Sequence, residues 1–251
     1  MVQGRIGSLV LVLTLTGVLF YAMAAFKKTG NLHVRRIAGL DAIDDLIGRV
    51  TEMGRPMAFV LGGTDLEAQG FASMRVLSHV AKQVARYEAK LFVVAPLPEM
   101  EPMCQEIMKT AYMSAGKGDA YNQSDVMYMP GDASKAGVLG LYQREKVAGA
   151  MLFGNYYYES MLFAEAANLA GASQIGGTAN YHQLPFFVAS CDYTLIAEEI
   201  FAAGTYLSKE PSEVGGLTAQ EVGKALAVLV MLVGSLFATL GNDVFVNLLK
   251  K

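Results

Sequence analysis

Residues 6–26 run for 21 positions without one Asp, Glu, Lys, Arg or His (IGSLVLVLTLTGVLFYAMAAF). At ~1.5 Å of rise per residue this is ~31 Å of helix, which matches a hydrocarbon core of ~30 Å. A cleaved secretory leader would share some of these letters, with Arg5 as its basic start and Ala22-Met23-Ala24 as a small-residue cleavage pattern. The segment is read as a retained anchor. A second apolar run, ALAVLVMLVGSLFATL, covers residues 225–240. Sixteen residues give ~24 Å, and Gly241 and Asn242 extend this to ~27 Å, which sets Asp243 in the opposite headgroup region. There a carboxylate is tolerated, whereas at the bilayer centre it costs about 3 kcal/mol. Residues 244–249 then lie in the interface, tipped by Lys250 and Lys251. The alternative for this run is a buried core helix followed by an amphipathic end.

Two spans around one long loop put both termini on one side of a cell membrane and residues 27–224 on the other. Lys27, Lys28, Arg35, Arg36 and Lys224 flank the spans on the loop side, against Arg5, Lys250, Lys251 and the amino terminus. The positive-inside rule therefore favours a cytoplasmic loop domain. The expected organisation is an anchor over residues 1–30, a cytoplasmic α/β domain over 31–215, and a second span with its interfacial tail over 216–251.

Composition narrows the class further. A chain that is 53% hydrophobic and 17% charged is not disordered. Its net charge of −3, with no block of basic residues, argues against a nucleic-acid partner. Cys104 and Cys191, 87 positions apart, form neither a disulfide framework nor a C-x-x-C pair and are compatible with a reducing compartment.

The middle of the chain alternates two patterns. Leu40, Ile43, Leu46, Ile47 and Val50 fall at helical spacing with Asp41, Asp44 and Asp45 near the start, where the helix dipole favours acids. Gly54-Arg55-Pro56 ends that helix, and residues 57–61 follow as an unbroken apolar run, the pattern of a strand buried on both faces. Further runs at 91–95, 126–129, 147–153 and 186–189 predict strands, and 175–178 predicts a short one. Helices are expected at 65–89, 99–114, 134–145, 157–169 and 193–207. The fold class is α/β, a mainly parallel, Rossmann-like sheet with helices on both faces, flanked by an N-terminal and a C-terminal transmembrane helix. Pro185 is acceptable at a strand's first residue.

Two glycine-rich segments are the candidate ligand edge. Gly62-Gly63-Thr64-Asp65 follows the first strand, where an open α/β sheet places its ligand. Glycines permit close backbone approach, and a helix start offers N–H groups to an anion. The segment is neither G-x-G-x-x-G nor a phosphate loop with its Lys, and Thr64 or Asp65 as an ordinary N-cap explains the same letters. Gly176-Gly177 opens a second small-residue loop, and Asp192, at the end of the adjacent predicted strand, would share the carboxyl edge. Asp192 reads equally well as the cap of a helix from Tyr193. No catalytic residue, cofactor or metal site is assigned.

Other clusters have bland readings. Met100, Met103, Cys104 and Met108 share one helix face, a soft-metal pattern that core packing also produces. His33, His79 and His182 show neither H-x-x-x-H spacing nor an acid beside them in sequence. Tyr156-Tyr157-Tyr158 precedes an alanine-rich helix suited to core or intersubunit packing, and Gly234 with Ala238 makes a small-x-x-x-small pair in the second span.

Several stretches carry a family likeness: Arg35-Arg36-Ile37-Ala38-Gly39-Leu40-Asp41-Ala42-Ile43, Thr51-Glu52-Met53-Gly54-Arg55-Pro56, and Gln183-Leu184-Pro185-Phe186-Phe187 on to Cys191-Asp192-Tyr193-Thr194-Leu195-Ile196. The chain resembles an uncharacterised prokaryotic family of membrane-anchored proteins defined by a domain of unknown function, over most of residues 33–210. The resemblance implies a membrane-associated α/β domain in a bacterium or archaeon and carries no activity. The leading expectation is therefore a homo-oligomeric scaffold, or a structural subunit of a larger membrane complex, with the lipid bilayer and membrane proteins as partners. The alternative is a membrane-tethered enzyme or sensor that binds a nucleotide or other anionic small molecule at the Gly62 edge.

Overall fold

The computed structural model describes residues 6–29, 38–63, 66–208 and 211–239. Expectations for His33, Thr64, Asp65 and every residue after Thr239 lie outside the described residues, as does the side chain of Ala238. The chain divides into two compact units, Met1–Val34 with Lys209–Lys251, and Arg35–Ser208.

The first unit is a helical hairpin of α1 (Ile6–Thr29) and α9 (Pro211–Thr239). Small residues set the contact. A Cβ on Gly215 would press on Met23 and lie 2.9 Å from the Leu19 carbonyl oxygen, and Leu15 comes within 3.4 Å of the same position on Gly223. The register runs down α1 as it runs up α9, so the two are antiparallel. Among the described residues one segment, Val214–Ser235, is long and apolar enough to cross a membrane. It starts earlier than the expected run at 225, and Val228, Leu229, Met231 and Leu232 stand exposed, the reverse of a buried core helix.

The second unit is a six-stranded parallel sheet in the order β3-β2-β1-β4-β5-β6. The strands are β1 (Met57–Gly62), β2 (Leu91–Ala95), β3 (Val126–Tyr128), β4 (Gly149–Gly154), β5 (Ser173–Thr178) and β6 (Tyr193–Ile196). One face is covered by α2 (Ala38–Met53), α3 (Ala68–Arg86), α4 (Met100–Ser114) and α8 (Glu199–Ser208). The other is covered by α5 (Gly131–Glu145), α6 (Glu159–Leu169) and α7 (Leu184–Ser190). Strand side chains alternate between the two cores. Met57, Phe59 and Leu61 join the first, where Phe59 stacks on Phe153 at 5.4 Å between ring centroids, while Ala58 and Val60 join the second. Both faces being buried is why the strand runs show no polar alternation.

The sequence misplaced the C-terminal third of this unit. Residues 186–189 form helix α7, not a strand. Pro185 sits in its first turn, where a missing N–H costs nothing, and Phe187 is buried while Phe186 and Val188 are exposed. A four-residue apolar run cannot by itself distinguish the two states. Residues 193–207 are not one helix: Tyr193–Ile196 is the edge strand β6, rich in β-branched and aromatic side chains, and Ala197, at φ 51°, turns the chain before α8 begins at Glu199. The helix expected from residue 65 starts at Ala68, with Glu67 extended at its N-cap position.

Candidate functional site

The strand order dictates where a ligand fits. From β1 the chain moves outward through β2 and β3, then returns across the sheet to β4, beside β1, and moves outward the other way. The loops leaving β1 and β4 therefore diverge to opposite faces, α3 to one and α6 to the other. Such a reversal opens a crevice at the carboxyl ends of the two strands, the usual ligand position in open α/β sheets. A cleft of about 250 Å³ lies there. Its floor is Leu61, Gly62 and Gly63, one end is Pro96 and Leu97 after β2, and its walls are Gly131 and Ser134 of α5, Asn155, Tyr156 and Tyr157 after β4, and Glu159 and Phe163 of α6.

Two glycines shape the floor. Gly62 pairs with Gly154 in register, and Gly154 adopts φ 130°, a region that side chains avoid. A Cβ on Gly62 would lie 2.6 Å from the Tyr156 ring, so the bare backbone there accommodates Tyr156 and not a ligand. The Tyr156 hydroxyl crosses over and donates to the Val60 carbonyl oxygen at 2.5 Å. Gly63 remains as backbone facing the cleft.

The polar walls are held from behind. Asn155 donates its backbone N–H to Gly62 O at 3.2 Å, and its Oδ1 accepts from Asn180 Nδ2 at 3.1 Å. Glu159 Oε2 accepts the Tyr157 backbone N–H at 3.1 Å. Lys135, one residue past Ser134, is engaged by the Asp132 carboxylate and the Tyr158 hydroxyl, and its ammonium sits 4.3 Å from the Tyr158 ring centroid. Among the described lining residues Glu159 is the only acid, and there is no Lys, Arg, His or Cys.

Of the remaining sequence candidates, Gly176, Gly177 and Asp192 are described, and they fall elsewhere. Gly176 and Gly177 are inside β5, not in a loop as expected, and added Cβ atoms would lie 2.7 Å from the Phe187 and Phe153 rings respectively. The short strand expected at 175–178 is part of this element. Asp192 precedes β6 at the opposite, amino edge of the sheet, and its Oδ2 accepts the Gln174 N–H at 2.7 Å, tying the start of β5 to that of β6. It caps no helix. Of the seven candidates, Gly62 and Gly63 are the two that the structure places at the cleft. Asn155, Ser134 and Glu159 were not read from the sequence, because their importance depends on β4 lying beside β1.

Met100, Cys104 and Met108 are fully buried in the core with Met103 packed against it, which accounts for their spacing. Burial pushes both thiols, Cys104 and Cys191, up to about 12, so neither is a ready nucleophile. His79 has a partner the sequence did not reveal: Asp44 of α2, at 3.7 Å. A larger hollow of about 660 Å³ lies at the amino edge, where both lysines are paired with acids of the same lining, Lys117 with Glu88 and Lys90 with Asp125 at 3.6 Å.

Comparison with known proteins adds the family. The model of the domain of unknown function DUF6754 matches residues 1–249. Neither a curated protein nor a solved structure matches the chain. The chain belongs to the DUF6754 family.

Proposed function

We propose that this member of the DUF6754 family is a membrane-tethered protein whose α/β unit binds a small molecule in the crevice between β1 and β4. The coincidence of the strand-order reversal with a cleft whose polar walls are fixed from behind carries this reading. In the same proposal α1 and α9 both span the cell membrane and the α/β unit is cytoplasmic, supported by the uncharged stretch 6–26 and the basic residues flanking the loop side.

Thermal-shift screening of the detergent-solubilised full chain against a metabolite panel tests the binding claim, with Ser134→Phe, which fills the cleft, as control. At least one compound is expected to raise the wild-type melting temperature and to leave the variant unmoved. No shift with any compound, or equal shifts in both proteins, would contradict the proposal.

A second reading, assembly as a homo-oligomeric scaffold or as a subunit of a larger membrane complex, draws support from apolar side chains left exposed on α6, α7 and β6, among them Tyr158, Met161, Leu169, Phe186, Val188 and Ile196. Mass photometry of gently solubilised protein addresses it, and a strict monomer with no partner would remove it.

A further inference from the structure

If the β1–β4 crevice is a binding site, its walls discriminate among ligands, and the choice of ligand rests on that reading. Size is the first filter. At about 250 Å³ the cleft falls below the ~300–1,000 Å³ of pockets that enclose drug-sized molecules, so it holds one ring system with its substituents and not a dinucleotide.

Charge is the second filter. The carboxyl-edge segments and first two helical residues that lead into α3, α4, α5, α6 and α8 carry, among the described residues, Glu67, Glu99 and Glu101, Asp132, Glu159, and Glu198 and Glu199, while the segment before α7 has no acid. From each strand end to the second residue of the following helix there is no Lys or Arg. Acids at these positions suit the helix dipoles, yet they also make the edge hostile to phosphate. Lys135 does not relieve this, being already held by Asp132 and Tyr158. A phosphorylated ligand would bring negative charge beside Glu159 with no cation to balance it.

Hydrogen-bonding capacity is the third. Glu159 is held through one oxygen by the Tyr157 N–H, which leaves the other open to accept. Asn155 is held through its carbonyl oxygen by Asn180, and its amide nitrogen reaches Glu67 only at 3.5 Å, the long limit for such a bond. A fixed carboxylate acceptor and a fixed amide on one wall suit neighbouring hydroxyl groups, which both donate and accept, and Phe163 and Leu97 offer apolar surface to the ring that carries them.

We infer that the ligand is an uncharged, vicinal-diol-bearing ring of monosaccharide or nucleoside size, held by Glu159 and Asn155, and that phosphorylation of the ligand opposes binding. This reverses the anionic preference expected from the glycine-rich segment alone.

The test is titration of the full chain, read by thermal shift and calorimetry, with adenosine, 2′-deoxyadenosine, adenosine 5′-monophosphate, D-ribose and D-glucose. The adenosine and free-sugar arms separate the two sources of the diol. At least one diol compound is expected to bind. If it is adenosine, loss of the 2′-hydroxyl and addition of the phosphate should each weaken binding at least tenfold. Glu159→Gln should weaken the diol compound by a similar factor while narrowing the gap to the monophosphate. The ligand-side comparisons need no variant to fold. Tighter binding of the monophosphate, or equal binding of the deoxy compound, overturns the inference. So does silence from all five compounds when the wider panel yields a hit that Ser134→Phe abolishes, an outcome that leaves the cleft reading standing. Silence from every compound removes both.

Discussion

Gly154 is seated on Gly62 across the β1–β4 junction, so that a Cβ on Gly154 would overlap the Gly62 carbonyl oxygen and lie 2.8 Å from its nitrogen. The obstacle is backbone and cannot swing aside, and φ at Gly154 is 130°. The junction that opens the cleft is therefore built for glycine alone. Gly154→Ala is expected to destabilise the fold by at least about 2 kcal/mol, since strained backbone and overpacking each cost about 1–3 kcal/mol. Thermal melting of the full chain checks this, and a melting temperature equal to wild type would show that the junction yields where its geometry says it cannot.

Gly176→Ala probes a glycine that the sequence placed in a ligand loop. The added methyl would meet the Phe187 ring at 2.7 Å and Cys191 Sγ at 3.1 Å. A loss of about 1–3 kcal/mol in stability is expected from overpacking, with ligand affinity unchanged among the molecules that fold. Calorimetry on the refolded or stabilised variant reads the second half, and a lost affinity with an intact melting temperature would return Gly176 to the site.

Tyr142→Phe should raise stability or leave it level. Among the described residues the Tyr142 hydroxyl is a buried side-chain oxygen without a hydrogen-bond partner, and burial drives its acidity far below that of an ordinary phenol. Removing an unsatisfied polar atom relieves a desolvation cost of about 1–3 kcal/mol. A melting temperature several degrees below wild type would mean that the hydroxyl has a partner in solution.

His79 predicts a pH dependence with a definite sign. Burial holds its imidazole below 6.5, and the opposing pull of Asp44 does not make up the difference. The folded chain thus keeps His79 neutral where the unfolded chain takes up a proton. Its contribution is fully present above pH ~6.5 and is lost as pH falls from there through the folded value. His79→Gln should flatten the decline of the melting temperature between pH 7 and pH 5.5, and an unchanged slope would place the responsible group elsewhere.

Strands β1, β2 and β4 were legible because a doubly buried strand leaves an unbroken apolar run of limited length, and the edge strand β3 was legible from its short apolar run although Tyr128 is exposed. The reading failed at α7 and β6, where Phe186-Phe187-Val188-Ala189 and Tyr193-Thr194-Leu195-Ile196 are both short and mostly apolar, so that neither run by itself tells helix from strand. The cleft was half legible. Gly62 and Gly63 announce a strand end followed by a helix, but Asn155 and Glu159 acquire meaning only when β4 pairs with β1, a contact across 92 positions between Gly62 and Gly154. Asp192 was lost for the same reason, since an extra element between β5 and β6 moves it to the amino edge.

Hydrogen exchange of the full chain, with and without the compounds of the metabolite panel, tests the central claim most directly. Slower exchange is predicted at the amides of residues 62–63, 131–134 and 155–159, with no change at residues 116–125 of the amino-edge hollow. Protection confined to the amino edge, or absent from all three cleft segments when a compound is bound, would contradict it.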